Sequence, residues 1–148
     1  MSAKHRGLTL PPSSFQKNRM SFGRIKLCKA DSEFSLFVRE RDLWTCNRCH
    51  KRYPPGSIGL QCSHYWGRGK ESTRFDPENC DALCTGCHNL WGHGDEREQY
   101  KAFKIKQLGQ NGYNILEMRA HTLGRKDRKL ALVVAKALRQ ELAKSRQF

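Results

Sequence analysis

The sequence predicts an α+β chain in which a short two-strand unit is clamped by cysteines and flanked by helices. Three observations point that way. Two Cys-x-x-Cys pairs, Cys46-Asn47-Arg48-Cys49 and Cys84-Thr85-Gly86-Cys87, bracket a stretch with strand-like alternation. Apolar residues recur at helical spacing before the first pair and after the second. Hydrophobic residues make up only 37% of the 148, and the central segment is rich in Gly and Cys, so a metal clamp is expected to replace core that the sequence lacks.

The elements follow in order. Residues 1–29 hold Lys4, Arg6, Lys17, Arg19, Arg24, Lys26 and Lys29 with no acid, the composition of a flexible basic arm. Asp31 is expected to cap a short helix running to about Asp42, with Phe34, Phe37 and Val38 facing the metal-bound segment. Tyr53-Pro54-Pro55-Gly56 is turn chemistry, and Ile58 to Tyr65 reads as a short strand that carries His64. Gly67 through Pro77 reads as a mobile basic loop and Asn79 to Leu83 as a second strand, after which a helix starts near Thr85 and presents His88. A further helix runs from Glu96 to Leu108, where Gly109 stops it; Asn114 to His121 is helical again, and Gly124 breaks it. Leu130, Val133, Val134, Ala137, Leu138 and Leu142 predict a last amphipathic helix that packs on its own domain. The chain thus divides into a basic arm (1–29), a metal-stabilised core (30–95) and a helical extension packing on that core (96–148).

Lys and Arg total 28 against 14 Asp and Glu, a formal net charge of +14. Such an excess favours polyanions, with DNA the leading partner because phosphates reward many separate cationic contacts through counterion release. No run approaches the roughly 20 apolar residues needed to span a bilayer, and the N-terminus lacks the apolar stretch of a secretory signal. The expectation is a soluble, cytoplasmic chain with no membrane contact; monomer and homodimer stay open. Seven cysteines, an odd number, argue against a closed set of disulfides and for zinc on the two pairs. A four-cysteine site uses every tetrahedral position, so any chemistry must come from other residues. Cys28, Cys62 and Cys80 are read as small buried hydrophobes, and His50 as a neighbour of the metal or an exposed residue.

The phrase Cys62-Ser63-His64, followed by Asn79-Cys80 and then Cys84-x-x-Cys87-His88, resembles the HNH nuclease family over about Cys46 to His93, a third of the chain. It looks most like phage-encoded members, with the recombination proteins of lambda-like phages as the narrower likeness. The resemblance implies a ββα-metal core (strand, loop, strand, helix) gripping one catalytic divalent ion, Mg²⁺ or another, beside structural Zn²⁺ on Cys46, Cys49, Cys84 and Cys87. It implies DNA phosphodiester hydrolysis in a bacterial host cell. His64 would be the general base, Asn79 would tie the loop down through side-chain hydrogen bonds, and His88 would bind the catalytic cation. The chain departs from the family at Ser63, which stands where an acidic or histidine ligand is usual, and a hydroxyl is a poor ligand for Mg²⁺ beside a carboxylate. Either Ser63 serves as a weak ligand beside His88, or another group such as His93 or Asp95 completes the site, or water and DNA phosphate hold the metal, or catalysis is impaired.

Arg68, Lys70 and Arg74 lie between His64 and Asn79 and are expected to clamp phosphate. Tyr65 and Trp66 either stack on a base or cover the knuckle. Two rival readings stand beside the nuclease: a noncatalytic zinc-dependent nucleic-acid-binding module, for which charge and knuckles suffice, and a protein-interaction adaptor using the C-terminal helices.

Overall fold

The computed structural model describes residues 25–147, so the expected basic arm, apart from residues 25–29, lies outside it. Among the described residues the fold is α+β, with four helices, α1 (Lys29–Arg41), α2 (Thr85–His88), α3 (Arg97–Ala120) and α4 (Arg128–Ser145), and one two-stranded antiparallel sheet. The strands are β1 (Leu60–His64) and β2 (Cys80–Cys84), paired from Leu60 opposite Cys84 to His64 opposite Cys80. β1 is shorter than the alternation predicts, with Ile58 exposed outside it, and β2 is shifted by one residue because Asn79 closes a 3₁₀ turn, Pro77–Asn79. None of the described helices is long and apolar enough to cross a membrane.

Cys28, not Asp31, stands at the start of α1. Asp31 sits three residues further on, where its Oδ2 accepts from the Cys28 amide at 2.8 Å and from Cys28 Sγ at 3.1 Å. A carboxylate on the first turn serves the same orphan donors, so the expected helix forms from a different cap. Cys28 is accordingly a half-exposed cap residue and not a buried hydrophobe, whereas Cys62 and Cys80 are buried.

At its other end α1 is fastened to β2. Arg41 donates to the carbonyls of Pro77 and Cys80, both at 2.8 Å, while Asp42 Oδ2 accepts from the Ala82 amide at 2.8 Å and from Asn47 Nδ2 at 2.7 Å. The apolar side of α1 packs on the hairpin face that carries Cys62 and Cys80, and on Ala135 of α4, rather than on the four-cysteine segment. α4 itself is turned from the predicted stripe. Ala131 and Ala135 are its buried residues, Leu138 and Leu142 follow on that side, and Leu130, Val133 and Val134 are exposed. Small alanines permit close approach of α1, and Arg139 locks the pair through Glu33 at 2.7 Å and Glu40 at 2.8 Å.

α3 covers the opposite hairpin face. Trp91 stacks on Tyr100 with centroids 4.9 Å apart, and Tyr65 meets Tyr100 edge-on at 5.1 Å, in a cluster that also takes in Cys46, Leu83 and Cys87. Within this cluster lies an ion pair: Lys104 Nζ stands 2.7 Å from Asp81 Oδ2, with both side chains inaccessible to solvent. Its remaining hydrogen-bonding capacity is met by the Tyr100 hydroxyl (2.8 Å) and Gln107 Nε2 (3.1 Å) on Asp81, and by the Glu78 carbonyl (2.6 Å) on Lys104. Full satisfaction is what makes a buried pair tolerable, and it fixes how α3 sits on β2. Gly109, with φ 72° and ψ 165°, interrupts α3 where the sequence places a stop; the helix resumes directly afterwards.

Candidate functional site

The two Cys-x-x-Cys pairs meet at one end of the hairpin. Their four sulfurs all lie within 4.8 Å of one another, and Cys49 Sγ and Cys84 Sγ are 3.9 Å apart. A tetrahedron with metal–sulfur bonds of about 2.3 Å has edges of about 3.8 Å, so the cluster is compatible with a structural metal. The first knuckle turns back through the His50 amide, which donates to the Cys46 carbonyl at 2.8 Å, with His50 exposed at a positive φ of 59°. The Cys84 amide donates to Cys46 Sγ at 3.3 Å and Arg48 to Cys87 Sγ at 3.6 Å. Burial opposes ionisation of Cys84, but hydrogen bonds, first from the Cys87 amide, bring it down to about 6, so a thiolate is present at neutral pH.

Immediately after the second pair, α2 passes into a π turn, Asn89–His93. Residues five apart stand about 140° apart around an α-helix, so His88 and His93 would face different ways. The wider turn brings their rings together, with centroids 5.0 Å apart, while Trp91 stays in the core. His88 Nδ1 lies 2.7 Å from Gln61 Oε1; an amide oxygen can only accept, so Nδ1 carries the proton and Nε2 keeps its lone pair. Around Nε2 the packing is close. A Cβ on Gly92 would fall 2.6 Å from His88 Cδ2 and 3.5 Å from Ser63 Oγ, so glycine is required there. Ser63 Oγ is buried and, among the described residues, without a hydrogen-bond partner. The exposed Asp95 lies beyond the π turn.

His64 ends β1. Its Nε2 donates to the Arg74 carbonyl at 2.9 Å, which leaves the lone pair on Nδ1. Burial, then the nearby Arg68 charge, pushes its pKa down to about 4; burial, then His93, does the same to His88. Both imidazoles are neutral near pH 7. Asn79 is fully buried. Its Oδ1 accepts from the Trp66 amide at 2.7 Å, and its Nδ2 donates to the carbonyls of Trp66 and Thr73, both at 2.9 Å. It sutures both ends of the loop that runs between the strands.

That loop is not the free basic loop the composition predicts. Arg74 is 2% exposed and forks onto Asp31, Nε to Oδ1 at 2.9 Å and Nη2 to Oδ2 at 2.8 Å, so it holds the loop to α1 and cannot clamp phosphate. Glu71 is similarly forked by Arg128, at 2.6 and 2.7 Å. Arg68 and Lys70 remain candidates, Lys70 exposed and Arg68 without an ion pair among the described residues. Tyr65 does not stack outward either; it is buried against α3 with its hydroxyl 3.0 Å from that of Tyr113.

His64, His88, His93, Gly92 and Arg68 line one cleft of about 420 Å³, together with Arg97, whose guanidinium lies 4.0 Å from the Tyr65 ring centroid. Sequence reasoning missed Gln61 and Arg97. The first lies two residues before Ser63, on the same hairpin face, so strand alternation was a usable signal; nothing local marks the second. A larger groove of about 910 Å³ between the loop and α4 is lined by Arg125, Lys126, Arg128 and Lys129 together with Glu71 and Asp127. Comparisons with protein-family models, with curated proteins and with solved structures give no match, and the meaning of the cleft rests on its own geometry.

Proposed function

We propose that the chain is a metal-dependent endonuclease of the HNH kind that hydrolyses DNA phosphodiesters, with Zn²⁺ on the four cysteines holding the scaffold. One observation carries this reading: two neutral histidines share a basic cleft, each with one ring nitrogen pinned and the other holding a lone pair. His64, pinned through Nε2, would take the proton of the attacking water on Nδ1. Asn79 acts on no atom of the substrate; it keeps the loop closed so that the Arg74 carbonyl continues to aim His64. Arg68 and Arg97 would receive the phosphate.

A catalytic cation would be held by His88 Nε2, His93 and the unpaired Ser63 hydroxyl, and Gly92 leaves the room it needs. When bound, it would neutralise the phosphate and stabilise the leaving 3′ oxygen. Two imidazoles and a hydroxyl suit Mn²⁺ or another transition ion better than Mg²⁺, which favours carboxylates. Ser63 in place of an acid is also the observation that favours the second reading, a noncatalytic zinc-dependent DNA-binding module. Plasmid incubated with the protein and Mg²⁺, Mn²⁺ or no metal separates the two. Nicking that needs a divalent ion and disappears in His64→Ala, with zinc content and DNA affinity unchanged, supports the nuclease. Binding without cleavage under every metal supports the module.

A further inference from the structure

The hairpin face that packs on α1 carries a second group of ligating atoms, in which two cysteines that neither the knuckle nor the proposed hydrolysis uses stand beside His64. The ligand atoms of Cys62, His64 and Cys80 all lie within 4.8 Å of one another. Register brings them together. Cys80 is directly opposite His64, and Cys62 lies two residues along the same face of β1. His64 and Cys80 stand four pairs along the ladder from Cys84, about 13 Å away, and Cys62 stands two pairs along it, so the group is separate from the four-cysteine cluster.

We propose that Cys62, Cys80 and His64 form a second site for a soft divalent ion such as Zn²⁺, and that its occupation withdraws the His64 lone pair and switches hydrolysis off. The metal site stands on its own geometry; the switch rests on the nuclease reading. Two sulfurs and one imidazole are a donor set that thiophilic ions take and that Mg²⁺ refuses. The Nε2 proton of His64 is already committed to the Arg74 carbonyl, the outer contact that commonly orients a histidine ligand, and Nδ1 is left to bind. Both cysteines are reduced and border an apolar wall of Phe34, Phe37, Val38 and Ala135. A divalent ion with two thiolates is electrically neutral, so it can rest against that wall without an unpaired buried charge. The two thiol protons leave to solvent as the sulfur–metal bonds form. Cys62 also lines the cleft, which gives the ion a path in and leaves the fourth position open to water.

Titrating Co²⁺ into protein that holds one equivalent of zinc tests this. Wild type should take up a further equivalent with thiolate-to-cobalt charge transfer, a signature that ligation by His88 and His93 alone cannot produce. Cys62→Ala and Cys80→Ala should each lose that band and keep the knuckle zinc; Cys62→Ala decides the matter if the more buried Cys80→Ala does not fold. In a Mn²⁺ plasmid assay, added zinc should slow wild type in proportion to occupancy of the second site, while Cys62→Ala cleaves at the basal rate and resists inhibition. Absence of the thiolate-to-cobalt band in wild type, or its survival in Cys62→Ala, overturns the site. Equal inhibition of wild type and Cys62→Ala overturns the switch. A second equivalent in a protein that cleaves under no metal upholds the site and removes the nuclease reading instead.

Discussion

The two ends of the β1–β2 ladder are held by different chemistry. At the Leu60–Cys84 end, the contacts converge on four sulfurs, and the surrounding segment from Thr45 to Arg52 contributes a single isolated bridge of its own. At the His64–Cys80 end, no metal is required: Asn79 closes the loop, the Tyr65 amide donates to the Asn79 carbonyl at 2.8 Å, and Arg74 and Arg41 tie loop and strand to α1. The candidate site spans both. His88 follows directly on the knuckle, whereas His64 depends on the loop, so each histidine can be displaced by a change that leaves the other in place.

The largest effect is expected at the sulfur end. Structural zinc contributes apparent binding energies of about 10 to 16 kcal/mol in zinc-finger peptides, as much as the whole stability of an ordinary domain. Cys84→Ser, or a chelator, should abolish cooperative melting of the hairpin and α2 and expose their amides to hydrogen exchange. Protection within α1 and α4, joined by Arg139 and the Phe34 cluster, should outlast it. Uniform retention of protection after the metal is gone would show that the two ends are not held differently.

At the other end Asn79→Ala removes three side-chain hydrogen bonds and strands the Trp66 amide and two carbonyls in a buried setting. The expected loss is about 3 kcal/mol in chemical denaturation, with zinc content unchanged. On the proposed nuclease reading, cleavage should fall along with it, because the Arg74 carbonyl that holds His64 is carried on the same loop.

How much of this could be read beforehand follows the same division. Ligand spacing and alternation are local, so the four cysteines and both strands were legible to within a residue or two, whereas the suturing role of Asn79 came only through the family resemblance. The cleft was legible only in part. No helical period joins His88 to His93 at a spacing of five, and it takes a π turn to do so. Arg74 looked like a phosphate clamp because its partner, Asp31, is 43 residues away and burial is a tertiary property. In α4 an alanine stripe and a branched stripe both fit a helix, and the choice between them depended on how closely α1 could approach. The Asp81–Lys104 pair left no sequence signal at all, since both residues read as surface charge.

A smaller effect tests the same fastening by pH. Burial raises the Asp31 pKa, but hydrogen bonds from Arg74 and the Cys28 amide more than offset this and lower it from 3.8 to about 2. A depressed pKa contributes stability above the ordinary value, here above about pH 4, and that contribution is lost as pH falls through about 2. It amounts to about 2 kcal/mol, the free energy carried by a pKa lowered from 3.8 to about 2. Asp31→Asn should lower stability at neutral pH and converge with wild type in urea denaturation as the solution is acidified. The comparison at each pH cancels protonation of cysteines and histidines common to both chains. Curves that stay parallel down to about pH 2 would deny the pair any part in the fastening.

The smallest effects distinguish arginines that bind the fold from cations that face the solution. Each phosphate contact removed should lower the slope of log affinity against log salt by about one, without regard to DNA sequence. Arg68→Ala and Lys70→Ala are expected to do this singly and to leave thermal stability within about 0.5 kcal/mol of wild type. Arg74→Ala should do the reverse, since its guanidinium is consumed by Asp31 and its loss strands a buried carboxylate. If Arg74→Ala changed the salt slope at unaltered stability, the loop would have to open on DNA. The fastening at the His64 end would then be a latch released by substrate and not a fixed part of the fold.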